Sequence, residues 1–161
     1  MPITSPSAPS PHWICRTATP HNHDLLVVLL TELVTELGPE SITLAVIPKL
    51  SADIRRVENS PYCRFFLFFD KEEAIALARA DILQTDPIFR LRDDQRCGYV
   101  DQMYVRPAYR GQGLGTRLLH ECEAWFRSVK IDHCVLHAAP KAVRFYAREG
   151  YQSNREMFKA L

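Results

Sequence analysis

The first third of the chain alternates short apolar segments with polar breaks, which predicts one strand followed by helices. Residues 13–17 form a short apolar run typical of a strand. Leucines recur at helical spacing over residues 22–37, which predicts a helix, and the Gly-Pro pair that follows ends it. Residues 39–50 place two prolines among apolar residues, which favours a packed connector or a short strand. Residues 51–59 predict a short helix with Ser51 as its N-cap.

The middle of the chain predicts three strands. Residues 62–69 form an unbroken aromatic and aliphatic run, which suits a strand covered on both faces. After a polar turn at 70–73, residues 74–83 predict the returning strand of an antiparallel hairpin. The charged segment 84–96 predicts a surface loop or a ragged hairpin end, and residues 98–105 predict the fourth strand. Strict alternation would put four side chains of that strand on one face: Tyr99, Asp101, Met103 and Val105.

The last third predicts helix, strand, helix and strand in that order. An amphipathic helix covers residues 113–130, with large apolar residues at helical spacing on its inward face. Residues 133–137 predict a fifth strand, residues 141–149 a short helix that Gly150 closes, and residues 151–159 a final strand. The complete order, β-α-α-β-β-β-α-β-α-β, predicts a mixed α/β fold.

Composition narrows the class of protein without changing this outline. At 161 residues the chain is long enough for one domain with a proper core. We expect a single domain over residues 12–161, preceded by a flexible leader rich in proline and serine at 1–11. The 20 Lys and Arg residues are balanced by 19 Asp and Glu, so nucleic acid is not an expected partner. The leader has no signal-peptide pattern and the apolar run at 25–30 is too short to span a bilayer, so we expect a cytoplasmic protein without a membrane partner.

The five cysteines are odd in number and widely spaced along the chain. They form no Cys-x-x-Cys pair and no Cys/His spacing of the kind that binds metals. The sequence therefore predicts free, buried thiols in a reducing compartment, and no metal site.

The junction between the fourth strand and the next helix carries glycine at every second position: Gly111, Gly113 and Gly115. Glycine leaves the main chain bare, so several N–H groups and the positive end of the helix can face one anion. Arg110 at the mouth of this loop can add a charge-assisted hydrogen bond. The spacing fits neither the dinucleotide pattern G-x-G-x-x-G nor the triphosphate loop, which needs a lysine before Thr116. The loop therefore predicts a cradle for a pyrophosphate.

Residues 110–115 resemble the acetyl-coenzyme A (acetyl-CoA) signature of the GNAT superfamily of N-acyltransferases: Arg or Gln, two residues, Gly, one residue, then Gly or Ala. Residues 142–151 resemble a second segment of that family, Ala-x-x-Phe-Tyr-x-x-x-Gly followed by Phe or Tyr. The two matches occur in the family's order, and the resemblance extends over residues 12–160. It implies a twisted, mostly antiparallel sheet flanked by helices, in which the fourth and fifth strands splay apart and acetyl-CoA enters the gap.

The same resemblance implies which residues hold acetyl-CoA as a co-substrate. In the family, main-chain groups at the end of the fourth strand bind the acyl oxygen and the pantetheine amides, and the glycine loop binds the diphosphate. An asparagine that many relatives carry is Ala139 here, so one contact to the cofactor is missing, and whether Lys141 replaces it stays open. The matching positions are Met103, Tyr104, Val105, Arg110, Gly111, Gln112, Gly113, Leu114, Gly115 and Thr116.

Acyl transfer to an amine also needs a proton donor for the departing thiolate and a base for the amine. Tyr146 matches the family tyrosine near the coenzyme sulfur, and a phenol with a pKa near ~10 is protonated at neutral pH. Asp101 stands where many members carry a glutamate, and its shorter side chain favours a water relay. His137, at the end of the fifth strand, is the alternative base.

The expected function is an N-acetyltransferase that moves the acetyl group from acetyl-CoA to a primary amine of a small molecule or peptide, by direct attack in a ternary complex. The departures at Asp101 and Ala139 leave room for an alternative, a non-catalytic CoA-binding or regulatory module. A third possibility is a transferase for a longer acyl group. The resemblance implies that residues 39–50 and 84–96 shape the acceptor site, so the apolar residues of 39–50 are either an apolar flank of the acceptor pocket or the packed connector described above. The sequence does not select among small amines, antibiotics, polyamines, amino acids and peptide termini as acceptors, and the resemblance allows a homodimer.

Overall fold

The computed structural model describes residues 12–38, 40–84 and 96–153. The predicted leader at 1–11, nearly all of the charged loop predicted at 84–96, and the predicted final strand beyond residue 153 lie outside the described residues. Within the described residues, none of the helices is long and apolar enough to cross a membrane. The helices and strands are β1 (Ile14–Thr17), α1 (His23–Leu37), α2 (Glu40–Val57), β2 (Cys63–Asp70), β3 (Glu73–Gln84), β4 (Arg96–Val105), α3 (Leu114–Ser128), β5 (Cys134–Leu136) and α4 (Val143–Arg148).

The strands of the described residues form one mixed sheet in the order β1-β2-β3-β4-β5. The pairs β1–β2, β2–β3 and β3–β4 are antiparallel, whereas β5 runs parallel to β4. A parallel neighbour requires a crossover connection, and α3 supplies it. The structure therefore confirms the predicted mixed α/β sheet flanked by helices.

Each face of the sheet has its own apolar core. On one face, α3 buries Leu118 against side chains such as Phe68. On the other face, α1 and α2 bury Leu29 and Ile54 against the sheet residue Leu77. Strands β2 and β3 are therefore covered on both sides, which explains the unbroken apolar run of β2.

The connector predicted at 39–50 is wrong over residues 40–50, whereas the helix predicted at 51–59 is confirmed over 51–57 as the end of a longer element. The element α2 is one continuous helix that contains Pro48. A proline inside a helix removes one hydrogen bond and costs about 3 kcal/mol. Leu50 and Ile54, four residues apart, are 6% and 2% exposed in the core under α1. Burying such side chains stabilises a protein by roughly 1.5–3 kcal/mol each, which outweighs the cost of the proline.

Ser51 lies inside α2 and is not an N-cap. Its Oγ lies 2.9 Å from Nε2 of His23, and Nδ1 of the same ring lies 3.1 Å from Oε2 of Glu58. These contacts join the beginning of α1 to the end of α2.

A β-bulge interrupts the pairing of β4 with β3. Val100 pairs with Ala80, whereas Gln102 pairs with Arg79. Asp101 is therefore one extra residue between two paired positions. Such a residue reverses the alternation of side chains beyond it.

Beyond the bulge, the end of β4 faces differently from the sequence-based prediction. Met103 and Val105 pack with Val100 in the core under α3. Tyr104 belongs to the core under α1 and α2. The prediction of a single shared face is therefore wrong for the set Tyr99, Asp101, Met103 and Val105.

All five cysteines are free thiols, as predicted. Cys97 and Cys122 are buried, whereas the other three are half-buried. Burial raises the pKa of Cys15 and that of Cys63 to about 12. Both thiols are therefore protonated at neutral pH and are poor nucleophiles.

Candidate active site

The glycine loop joins β4 to α3 and contains two residues in the left-handed region. The φ angles are 73° at Gly111 and 81° at Gly113, which is the N-cap residue of α3. A Cβ atom at either position would meet nothing within 4 Å, so the backbone conformation, rather than lack of space, requires glycine there. At Gly115 a Cβ would lie 3.4 Å from the ring of Phe145, an ordinary contact distance, so this position tolerates a small side chain.

This conformation leaves main-chain N–H groups available to an anion. Arg110 donates its main-chain N–H to a carbonyl, and Arg117 donates its own to the carbonyl of Gly113 at 3.1 Å. Within the described residues, none of the N–H groups between these two donates to a main-chain carbonyl. The first N–H groups of a helix have no acceptor within it, and the helix dipole places positive charge at the same end. The N–H groups of residues 111–116 thus meet the physical requirement for a diphosphate cradle, and its occupation by a cofactor stays a prediction.

Several side chains of the loop have structural roles. Leu114 is fully buried under the sheet. Nε2 of Gln112 donates to the carbonyl of Ala108 at 3.3 Å, and Oγ1 of Thr116 donates to Oε1 of Glu149 at 2.6 Å. These three positions therefore offer main-chain groups, and not side chains, to a ligand.

Arg110 connects the loop to the end of β4 and to α1. Its Nε donates to the carbonyl of Val105 at 2.8 Å, and its Nη2 donates to Oε2 of Glu36 at 2.5 Å. Nζ of Lys141 donates to the other oxygen of Glu36 at 3.1 Å. The hydrogen bond from Arg110, supported by that from Lys141, holds the pKa of Glu36 below its ordinary value. Two cations against one carboxylate leave one net positive charge beside the loop.

The end of β4 next to this loop lies beyond its pairing with β5. Their parallel pairing ends at Val100 and Leu136, although β4 continues to Val105. Among the described residues, no strand pairs with that continuation on the side of β5. Because β5 itself ends at Leu136, main-chain groups at the end of β4 are left without a strand partner on that side among the described residues. The splay of the two strands stays a prediction.

A cavity of about 610 Å³ lies along this end of β4. Its wall also includes residues of α1, α2, α4 and the connection after β5. Residues 111–116 lie outside its lining, and Arg110 links them to it. The cavity brings together these residues predicted from the sequence: Asp101, Met103, Tyr104, Val105, Arg110, His137 and Tyr146.

Tyr146 lies in α4, on the wall of the cavity. Its ring packs edge-on against Phe145 at 5.0 Å and against Tyr151 at 5.8 Å between ring centroids. Burial, together with the neighbouring Cys122 thiol, raises the pKa of Tyr146 above its ordinary value. The hydroxyl is therefore protonated at neutral pH, as a proton donor to a thiolate must be.

Asp101 reaches the cavity from the bulge, and its side chain is 29% exposed. Its Oδ2 lies 3.2 Å from Nη1 of Arg79, whose Nε lies 2.9 Å from Oδ2 of Asp81. Burial raises the pKa of Asp101 and the charge of Arg79 opposes this shift. Two carboxylates against one guanidinium leave one net negative charge. A carboxyl group with a raised pKa suits proton transfer near neutral pH.

His137 follows β5 and is held by Tyr99. Oη of Tyr99 lies 2.8 Å from Nδ1 of His137, and the two rings meet edge-on. His137 lies close enough to Asp101 to oppose the rise in the pKa of that carboxyl group. Asp101 and His137 thus stand as two candidate bases on one wall.

Some residues of this site were not found from the sequence. Glu36 is 74 residues from Arg110, and no local pattern connects them. A signal was present for Arg79 and Asp81, because they are charged neighbours on one side of an otherwise apolar strand. Gln102 gave no signal, yet its Oε1 is buried without a hydrogen-bond partner among the described residues.

Comparison with known proteins gives matches along most of the chain. The model of the acetyltransferase (GNAT) family matches residues 30–151. An aminoglycoside N(6')-acetyltransferase type 1 from Acinetobacter genomosp. 13 is 24% identical over 111 residues, which cover 59% of this chain and 70% of that protein.

Two solved structures are similar in fold. One is a GCN5-related N-acetyltransferase from Ralstonia eutropha JMP134, with a TM-score of 0.84 and 21% identity, covering 92% of this chain and 98% of that one. The other is described as a predicted acetyltransferase with acetyl-CoA from Clostridium acetobutylicum, with a TM-score of 0.82 and 19% identity, covering 92% and 96%. Since the family model matches well over half of the sequence, the chain belongs to the acetyltransferase (GNAT) family and is an acyltransferase.

Proposed function

We propose that the protein transfers the acetyl group of acetyl-CoA to a primary amine of a small molecule or peptide, by direct attack in a ternary complex. One observation carries this proposal: a single cavity joins the end of β4 beyond its pairing with β5, a protonated tyrosine and a carboxylate with a raised pKa, beside a loop of available N–H groups. Acyl transfer needs each of these groups.

The cofactor end of the site is electropositive. The N–H groups of residues 111–116 and the beginning of α3 would bind the diphosphate, and the net positive charge of Arg110, Lys141 and Glu36 would attract it. The fold similarity to a structure with acetyl-CoA supports this choice of co-substrate. Main-chain groups of Met103 to Val105 would hold the acyl oxygen.

The transfer itself moves two protons. The neutral amine nitrogen attacks the acetyl carbon, and the carbon–sulfur bond breaks. Asp101, directly or through water, takes a proton from the amine, with His137 as the alternative base. The hydroxyl of Tyr146 protonates the departing thiolate of CoA.

The acceptor is less defined than the cofactor. The relative from Acinetobacter is named for acetylating an aminoglycoside, which supports an amine on a small molecule as the first class to test. The peptide class stays within the proposal.

The test is the release of CoA from acetyl-CoA by the full chain, followed with a thiol reagent over a panel of primary amines. The acetylated amine is identified by mass spectrometry. We expect release that depends on the amine and that falls strongly in Tyr146→Phe. A non-catalytic module would instead bind CoA in a titration and release nothing above the background without amine.

A further inference from the structure

The cavity is lined by residues of both apolar cores, and therefore from both faces of the sheet. The glycine loop leads into α3, which packs on one face, whereas α1 and α2 cover the other. In the proposed function the cofactor enters from the loop, so the wall formed by α1 and α2 is left for the acceptor. Its apolar part consists of Leu30, Leu33, Val34, Leu37, Val46 and Leu50.

The charge available to an acceptor is small. Glu36 is the carboxylate that α1 contributes to this cavity, and it already bonds to Arg110 and Lys141. On β4, Asp101 shares the guanidinium of Arg79 with Asp81. Within the described residues, the part of the cavity left for the acceptor therefore offers one net negative charge.

Next to Asp101, Gln102 supplies a neutral hydrogen-bond acceptor. It lines the same cavity, and its Oε1 is buried without a partner among the described residues. A buried acceptor atom without a donor is costly, so a rotation of the amide that brings Oε1 to a donor in the cavity is favourable. An ammonium group has three N–H donors, which is enough for a carboxylate and an amide oxygen together.

An acceptor with several ammonium groups fits this wall poorly. One ammonium would find Asp101 and Gln102, but the others would lose water against aliphatic side chains without compensation. We propose that the acceptor is a primary amine with a single positive charge and an aromatic or aliphatic body. Its amino group is held by Asp101 and Gln102, and its body packs against α1 and α2. This inference rests on the proposed function.

The first experiment compares kcat/KM of the full chain for four amines: 2-phenylethylamine, ethanolamine, spermidine and tobramycin. We expect 2-phenylethylamine to exceed ethanolamine by roughly 10- to 100-fold, the gain from burying one aromatic group. Spermidine and tobramycin should not exceed ethanolamine.

The second experiment places a charge in the wall. Val46→Asp should reduce the preference for 2-phenylethylamine over spermidine by about tenfold or more, because the new carboxylate replaces apolar contact and attracts a second ammonium group. Leu44→Asp is the matched control on the same helix, since Leu44 is 68% exposed and outside the cavity lining. It should leave the preference unchanged.

The outcomes separate this inference from the proposed function. A higher kcat/KM for spermidine or tobramycin than for 2-phenylethylamine would overturn the inference and leave the acetyltransferase function in place. Absence of CoA release with every amine would overturn both. If Val46→Asp does not fold, Val46→Thr must show a smaller loss of preference in the same direction while keeping the CoA affinity of the original chain; an unchanged preference counts against the apolar wall.

Discussion

The conformation of Gly113 gives a quantitative prediction for the variant Gly113→Ala. The residue has φ 81° and ψ 3°, and an added Cβ would touch nothing within 4 Å. The perturbation is therefore confined to the backbone. An alanine in the left-handed region costs roughly 1–2 kcal/mol, whereas the smaller freedom of its unfolded chain returns about 0.4–1 kcal/mol. A net loss of about 1 kcal/mol in the free energy of unfolding follows if the loop keeps its shape.

If the loop relaxes instead, the same cost appears in cofactor binding. The unliganded variant would then avoid the left-handed conformation, and CoA would have to restore it. Up to about 1–2 kcal/mol would move into the dissociation constant, which corresponds to roughly 5- to 30-fold weaker binding. Stability and affinity are thus linked, and the penalty must appear in one or be divided between both.

The assay combines urea unfolding with calorimetric titration of CoA for the original chain, Gly113→Ala and the control Gly115→Ala. Gly115 follows the first residue of α3, and its Cβ would lie 3.4 Å from Phe145, an ordinary contact distance. Alanine is favoured over glycine in a helix by about 1 kcal/mol, so the control should be neutral or slightly stabilised with unchanged affinity. Unchanged stability together with unchanged affinity in Gly113→Ala would refute the role given to its backbone.

Three further substitutions test the roles given to side chains in the cavity. Tyr146→Phe should lower kcat by roughly 10²- to 10⁴-fold, the usual contribution of a proton donor, with the Kd for CoA nearly unchanged; a normal kcat measured at saturating acetyl-CoA would exclude Tyr146 as the donor. Asp101 acts as a base only when ionised, so activity should fall as pH decreases through its pKa, which burial raises. Asp101→Asn should lose this acidic limb of the rate profile, and a retained limb would point to His137. Glu36→Gln leaves Arg110 and a neighbouring lysine without their carboxylate, so CoA should bind up to about fivefold more tightly at low salt and lose this gain at high salt; weaker binding at low salt would mean that Glu36 orients Arg110 for the cofactor.

The elements with strong local signals were predictable from the sequence. The glycine loop is defined by backbone chemistry, and the structure places Gly111 and Gly113 in the left-handed region that glycine adopts most readily. The order of strands and helices also followed from periodicity over the described residues. Local patterns were sufficient there because the structure is determined within a few residues.

Local patterns did not predict the structure where contacts between distant parts of the chain determine it. Pro48 suggested a break, although the spacing of Val46, Leu50, Ile54 and Val57 already fitted one helical face. That face gains its stability from packing against α1, and local propensity does not include this contribution.

Contacts within the site were also invisible to local sequence patterns. The bulge at Asp101 is a property of the pairing with β3, so strict alternation assigned Met103 to the wrong face. The bonds of Glu36 to Arg110 and Lys141 join α1, the glycine loop and the segment before α4. Such contacts exist only after the chain has folded.

The central claim is that main-chain N–H groups of residues 111–116 bind the diphosphate of the acyl donor. The most direct test is a calorimetric titration of the full chain with CoA and with pantetheine, which has the thiol arm but lacks the diphosphate and the nucleotide. Two or more charge-assisted hydrogen bonds are worth roughly 3 kcal/mol or more, so CoA should bind at least about 100-fold more tightly than pantetheine. Equal affinity for the two ligands, or no measurable binding of CoA, would contradict the account.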